Sequence, residues 1–393
     1  MKRVLVIPSW YPSDENPNIG TFFQEQARLS RARYDTRVMV VRRRVWGRRS
    51  FYNWARTRCF GPKLAAVSIV RDVEALPVTT VEFDIADRWD PLNTYVLGTE
   101  ADLALAVLNE SGWLPHLVHC HCAVPAGILG LCVARKLNIP LVITEHQHII
   151  FDYFTNRDWM AAKAAYASAA RVAVVSEFQR QMLLMNGAQA SPVVIGNLVD
   201  DQIFSLAGKP TNGAEIRLLF VGLVSPLKGY DTFFRAIARL RVLANTHVAV
   251  KILCPDTPQR REQLYLRAAG ELSGVDVEIV ASATRCDVAS LLSWSNMLVS
   301  TSIAETFGVA VCEGLMCGKP VVSTASGGVS DFVLSGVNGF VVPIGDAEAI
   351  ARRILDVLSG KLSASPLEIR NSVIEKYGRE AFLQKLSQLY EIS

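Results

Sequence analysis

The chain has 393 residues, half of them apolar and a fifth charged, with a formal net charge of +4. That is an ordinary globular composition, long enough for two moderate cores, since single cores rarely grow beyond about 250 residues. No uninterrupted run of about 18 apolar residues is present, which excludes a spanning helix.

From the N-terminus, MKRVLVIPSWYP begins basic, but its apolar run is too short for a secretory signal and Pro8 cuts it off. A cytoplasmic location follows, with a membrane surface left open. RVLVIPSW reads as a short strand ending in a Pro/Ser/Asn/Gly-rich loop over 8–20. TFFQEQARLSRA has helical periodicity and DTRVMVVRR is a second strand. Further strands are expected at 78–83, 117–120, 140–144 and 171–175, with helices around 98–111, 124–136 and 159–168. Near 205–215 the pattern dissolves into SLAGKPTNGAEI, which is linker-like. Alternation then restarts with RLLFVG, a helix at 230–243, HVAVKILC, a helix at 259–272, VDVEIV, a helix at 287–293, NMLVS, a helix at 309–317 and PVVST. The tail at 379–393 has a helical pattern with Phe382, Leu386 and Leu389 on one face. Strands alternating with helices of ten to fifteen residues mean parallel sheets covered on both faces. The expectation is two α/β domains with a cleft between them: residues 1–200, onto which a helix of about 373–393 packs back, and residues 201–372.

Thirteen Lys or Arg against four acids fall within residues 1–60, so the basic excess is concentrated there. The segment 41–63, VRRRVWGRRSFYNWARTRCFGPK, interleaves seven arginines with five aromatics and holds no acid. One reading is a solvated basic insertion between a strand and the next helix. The interleaved rings favour another, an anionic membrane surface, where rings enter the headgroup layer and guanidinium groups meet phosphates. A nucleic-acid partner is not expected, because the Rossmann-like cores supply no stacking platform. Of eight cysteines, Cys120 and Cys122 flank His121, but CxC lacks the usual reach of a zinc pair and no second pair follows, so no metal is expected. Cys312 and Cys317 read as buried small residues.

Chemistry is expected beyond the carboxyl ends of the parallel strands. NMLVSTSIAETFGVAVCEG is a strand, a loop carrying Glu305 and a helix carrying Glu313. Each carboxylate can accept from a pair of sugar hydroxyls, the amides of 307–309 open a helix, and Gly308 permits close approach. The plainer alternative is an exposed Glu305 and a Glu313 that merely answers the helix dipole. Lys228 sits in FVGLVSPLKGYDTF between Gly222 and Gly229, where a cation can meet a phosphate or simply cover a turn. Gly327 and Gly328 follow the strand KPVVST. Four of the six histidines are His119, His121, His146 and His148. LVHCHCAVPAG and PLVITEH both carry them from a strand into a loop, where site residues collect.

GLVSPLKG, ETFGVAVCEGLMCGKPVVSTASGGVSDFV and GVNGFVVPIGDAEAIA resemble the donor-binding half of the retaining glycosyltransferases of family 4. The likeness covers 216–358 and extends into VAVVSEFQRQMLLMNG and PVVIGNLVD, within 172–200. PSWYPSDENPNIGTFFQEQA is similar to the opening of members that build bacterial surface polysaccharides. The resemblance implies the GT-B fold, two Rossmann-like domains facing across a cleft. It implies transfer of a hexose-type sugar from a UDP- or GDP-linked donor to a glycan or a polyprenyl-diphosphate-linked acceptor, at the inner face of the plasma membrane, without cofactor or metal. Glu305 would contact the transferred sugar, aided by backbone amides at Phe307, Gly308 and Val309; Glu313 would take the ribose hydroxyls and Lys228 the diphosphate. Gly222 flanks that lysine. His121, or as second choice His146, would orient the reaction centre, Gly20 would approach the phosphates, and Gly327 and Gly328 offer a further close approach. The chain departs from the pattern at Leu223, where an arginine usually accompanies the lysine. A nucleotide-sugar epimerase of the same fold, or a non-catalytic sugar-nucleotide-binding protein, is the alternative; acceptor dependence separates the first.

Overall fold

The structure, a computed structural model, describes residues 1–13, 19–46, 63–72, 74–86, 93–148, 155–206, 215–244, 246–281 and 284–392. The chain divides into two compact units. One is formed by Met1–Val175, Gln179–Ile195 and Leu383–Ser393; the other by Ser176–Phe178 and Gly196–Phe382.

In the first unit, eight strands lie in the order β3-β4-β2-β1-β5-β6-β7-β8. They are β1 (Arg3–Pro8), β2 (Asp35–Trp46), β3 (Lys63–Arg71), β4 (Pro77–Ala86), β5 (Leu117–His121), β6 (Leu141–Glu145), β7 (Arg171–Val174) and β8 (Val193–Val194). All pair in parallel except β3, which runs antiparallel to β4 at the edge. The intervening helices are α1 (Thr21–Ser30), α2 (Asn93–Glu110), α3 (Ile128–Leu137), α4 (Asn156–Ser168) and α5 (Glu177–Met185). LVHCH and LVITE are buried at every position, as strands covered on both faces must be. The polar His119, His121, Thr144 and Glu145 are buried with them. Burial of such groups is tolerated only where each finds a partner, and this marks the carboxyl edge of β5 and β6 as the place to look for chemistry.

The end of the chain is held here: Lys2 Nζ donates to the Tyr390 carbonyl at 2.7 Å, and Arg33 Nη1 to Ser387 Oγ at 3.1 Å. Of the basic segment 41–63, residues 47–62 lie outside the described residues, so the expected membrane contact of its rings falls there too. Its ends correct the expectation of a loop leading to a helix, because β2 runs on to Trp46 and another strand begins at Lys63. Arg43 is not a free surface cation. Its Nε and Nη2 donate to Glu100 Oε1 and Oε2, both at 2.9 Å, and the glutamate side chain is fully buried.

The second unit holds six parallel strands in the order β11-β10-β9-β12-β13-β14. They are β9 (Glu215–Val221), β10 (His247–Leu253), β11 (Asp276–Val280), β12 (Met297–Ser300), β13 (Val321–Thr324) and β14 (Gly339–Val342). The helices are α6 (Tyr230–Leu243), α7 (Pro258–Glu271), α8 (Arg285–Trp294), α9 (Val309–Met316), α10 (Ala347–Leu358), α11 (Pro366–Tyr377) and α12 (Arg379–Tyr390), the last continuing into the first unit. Apolar positions three and four apart on α6 bury Phe233, Phe234, Ile237 and Leu240 on the sheet. Both units are Rossmann-like α/β domains. Among the described residues no helix is long and apolar enough to cross a membrane.

Candidate functional site

In the second unit, β9 and β12 are hydrogen-bonded neighbours, so the loops leaving their carboxyl ends emerge side by side. The first loop closes as a single 3-10 turn, Pro226–Lys228, with Ser225 Oγ capping the Leu227 amide at 3.3 Å. The second runs from Thr301 to Gly308. Three bonds knit them: Ile303 N donates to the Leu227 carbonyl at 2.8 Å, and Thr301 Oγ1 donates to the carbonyls of Lys228 and Gly229 at 3.0 and 2.9 Å. The result is a short, fixed distance between two charges: Lys228 Nζ donates to Glu305 Oε1 at 2.6 Å, and Ser302 Oγ donates to the same oxygen at 2.7 Å. Both side chains remain partly exposed, 29% and 17%. The carboxylate and the ammonium are therefore pre-oriented by one another and still reachable.

Glu305 is also fixed through its backbone. Its amide donates to the Ser326 carbonyl at 2.7 Å, and its own carbonyl accepts from Gly328 N at 3.0 Å. A side chain at Gly327 or Gly328 would remove this contact. A Cβ on Gly327, at φ +114°, would lie 2.7 Å from the Glu305 oxygen, and one on Gly328 would meet the Thr306 oxygen. Gly308, with φ +92°, opens α9. The Phe307 ring is buried between Phe332 and Tyr377, at 5.1 and 5.0 Å, which leaves only its backbone for a ligand. Gly222 follows β9 and makes room for the stem of Lys228; a Cβ there would sit 3.0 Å from the lysine Cγ. Leu223 is half exposed and supplies no charge.

Glu313 lies one turn into α9 and is only 3% exposed. Arg285 Nη1 donates to its Oε1. Burial raises the Glu313 carboxyl above its ordinary range, and the guanidinium opposes that rise by charge and hydrogen bond. Arg285 is itself stacked on the Phe204 ring, 4.8 Å from its centroid. This arginine is the site residue that the sequence did not reveal. Thr284 and Asp287 form a capping box that starts α8 at Arg285, ahead of the start expected at 287, and the partner 28 residues away left no mark in the segment.

In the first unit, the parallel register pairs Pro8 with His121 and His121 with Thr144, which gathers the ends of β1, β5 and β6. His121 and His146 meet directly, Nδ1 to Nε2 at 3.0 Å, and both pack on the Phe23 ring at 4.7 and 4.9 Å. His121 is 1% exposed and His146 6%. Burial first, and the neighbouring imidazoles second, push His121 well below its ordinary value, so the ring is neutral at physiological pH. His119 is bonded to Tyr390 Oη at 2.7 Å and Thr144 Oγ1 at 2.8 Å, and burial lowers it to about 3. The two expected candidates thus sit together as a buried pair in which His121 is neutral, and His119 holds the C-terminal helix through Tyr390. Gly20 caps α1 in a left-handed conformation.

A carboxylate beneath this pair was also missed. Glu145, 2% exposed, accepts from the amides of His146 and Gln147 through Oε1 at 3.0 and 2.8 Å. Its Oε2 accepts from the Ala123 amide at 2.9 Å and from Tyr166 Oη at 2.6 Å. It ties the loop after β5 to the loop after β6. The TEH of PLVITEH shows the residue, but no local pattern shows four donors converging on it.

Comparison with known proteins places the chain as a whole. The profile described as "Glycosyl transferases group 1" matches residues 202–380, and that described as "Glycosyltransferase Family 4" matches residues 76–203. An uncharacterized glycosyltransferase of Methanocaldococcus jannaschii is 26% identical over 70% of this chain and 75% of its own length. A D-inositol 3-phosphate glycosyltransferase of Kribbella flavida is 26% identical over 69% of this chain and 70% of its own. Among solved structures, sucrose-phosphate synthase of Thermosynechococcus elongatus superposes with a TM-score of 0.74 at 18% identity, covering 99% of this chain and 98% of that one. HepE of Anabaena, solved with UDP and glucose, gives 0.72 at 18% identity over 99% of both. The chain is a GT-B-fold glycosyltransferase related to the group 1 and family 4 enzymes.

Proposed function

We propose that the protein is a retaining hexosyltransferase that takes a UDP- or GDP-linked sugar and glycosylates a hydroxyl of a glycan or polyprenyl-diphosphate-linked oligosaccharide in surface-polysaccharide synthesis. The observation that carries this reading is the Lys228–Glu305–Ser302 cluster, a cation and a carboxylate 2.6 Å apart and accessible at adjacent strand ends. Lys228 meets the diphosphate and Glu305 the transferred sugar's hydroxyls, while Glu313 receives the ribose. Backbone amides at Phe307–Val309 and the close approaches at Gly20, Gly222, Gly327 and Gly328 hold the rest of the donor. The solved complex of HepE with UDP and glucose is consistent with a uridine donor.

No carboxylate is needed as a nucleophile in this scheme. The departing phosphate takes the acceptor proton, attack occurs on the same face, and catalysis rests on stabilising the leaving diphosphate and on orientation. The neutral His121 imidazole, steadied by His146, offers a hydrogen bond without adding charge. Peripheral association with an anionic bilayer, through the basic aromatic segment, completes the proposal on the acceptor side.

The test is a panel of UDP-, GDP- and ADP-sugars assayed for binding, slow hydrolysis and acceptor-dependent transfer, with Glu305→Ala beside the wild type. The wild type should turn over one nucleotide class and Glu305→Ala should lose transfer while remaining folded, since a sugar-orienting group is felt most in the transition state. A kcat/KM for the variant within about threefold of wild type overturns the assignment. Release of UDP without any acceptor, with an epimerised sugar as the other product in place of the plain hydrolysis product, would point to an epimerase.

A further inference from the structure

We propose that Arg285 is a positioning residue for nucleotide recognition: by pinning one oxygen of Glu313 and lending it a counter-charge, it presents the other oxygen to the ribose hydroxyls of the donor. The inference rests on the ribose role of Glu313 proposed above and assigns a function to a residue outside the acid pair. Its ground is geometric. Arg285 Nη1 donates to Oε1, whereas Oε2 makes no hydrogen bond among the described residues.

The guanidinium cannot wander from this contact. The capping box of Thr284 and Asp287 fixes the first turn of α8: Asp287 N donates to Thr284 Oγ1 at 3.2 Å, and Thr284 N to Asp287 Oδ2 at 2.8 Å. Phe204, fully buried, covers the guanidinium face at 4.8 Å. Planar stacking together with a carboxylate bond suits arginine and not lysine.

The other groups near Glu313 cannot replace this charge. Arg370 on α11 is engaged by the carbonyls of Phe204, Met316 and Asp201. Lys319 donates to the carbonyls of Ser293 and Ser295 at 3.2 and 2.8 Å. The Cys317 thiol, pushed up to about 12 chiefly by burial and then by the Glu313 charge, stays neutral. A carboxylate 3% exposed with no counter-charge would take up a proton, and a neutral carboxyl accepts more weakly from the ribose hydroxyls and turns one of its oxygens into a donor. Arg285 therefore bears on ribose discrimination, and its loss should appear as a pH dependence of nucleotide binding.

The sign follows from the group. Glu313 is raised by burial and held back by Arg285, so removing the arginine raises it further, and the competent ionised form is lost as pH falls through the new value. UDP and 2′,3′-dideoxy-UDP are titrated calorimetrically against the whole chain between about pH 6 and about pH 8.5. Wild type, Arg285→Met, Arg285→Gln and Glu313→Ala are compared, with circular dichroism to confirm folding. The phosphate's own titration is common to all and cancels in the comparison. Arg285→Met should lose about tenfold more UDP affinity than wild type between the high and low ends, because the ionised fraction of an acid falls about tenfold for each pH step of one below its pKa. The extra loss should vanish with the dideoxy nucleotide. Arg285→Gln keeps a donor but no charge and should behave as Arg285→Met, which keeps the test alive if the methionine variant does not fold. A profile parallel to wild type in both variants, or an extra loss that persists with the dideoxy nucleotide, overturns the proposal. If Glu313→Ala binds UDP as tightly as wild type, the ribose reading itself fails, and this outcome is distinct from the first two.

Discussion

Glu145 is a buried carboxylate whose two oxygens receive four donors, and among the described residues no cation pairs with it. Replacing it with glutamine keeps its size and shape but turns one oxygen into an N–H2 donor. If the amide nitrogen takes the Oε1 place, the backbone N–H groups of His146 and Gln147 both lose their acceptor. If it takes the Oε2 place, the Tyr166 hydroxyl can rotate and accept, so that only the Ala123 N–H is orphaned. The side chain will choose the second. The remaining bonds fall from charged to neutral strength, which costs about 1 kcal/mol each. Relief from burying an ion is of similar size and opposite sign. The orphaned amide then decides the balance, and Glu145→Gln should destabilise the protein by about 1–3 kcal/mol. Tyr166→Phe leaves three of the four donors and removes a hydrogen bond to a charged group, again about 1.5–3 kcal/mol. Urea unfolding of the two variants measures both changes. Because one of the loops tied by Glu145 follows His121 directly and the other carries His146, sugar transfer should also fall, more than about tenfold, while UDP affinity is unchanged. A stability within about 0.5 kcal/mol of wild type for Glu145→Gln, with normal transfer, would refute the idea that this carboxylate organises the two loops.

Two further outcomes are expected. Arg43→Gln strands the fully buried Glu100 and should cost about 2–4 kcal/mol at pH 8; because burial already raises Glu100, the cost should shrink as pH falls and the carboxyl takes up its proton, which urea midpoints at two pH values will show. Lys228→Ala should weaken UDP binding by about 1.5–3 kcal/mol and leave uridine binding unchanged, since the lost partner is the diphosphate; calorimetry with the two ligands checks it.

Legibility differed with the range of the interaction. Strands and helices followed from local periodicity: the helix expected at 230–243 spans Tyr230–Leu243, and that at 309–317 spans Val309–Met316. The tail's apolar face is also found, with Phe382, Leu386 and Leu389 all buried. Lys228 and Glu305 could be singled out one at a time, because each stands in a loop that leads from a strand into a helix, Lys228 next to Gly229 and Glu305 ahead of Gly308. That they touch is a property of strand order: β9 and β12 pair across the sheet although two strands intervene in sequence. The same reason hid Arg285 and Glu145, whose roles come from partners on other elements and leave no mark in their own segments. Arg43 shows the converse. Read by composition it belonged to a basic surface, yet strand alternation sends Arg42 outward and Arg43 toward α2, where Glu100 waits. A run of like charges therefore cannot be treated as one object. A test of membrane binding should spare Arg43, because its loss would weaken the fold and imitate the loss of a lipid contact.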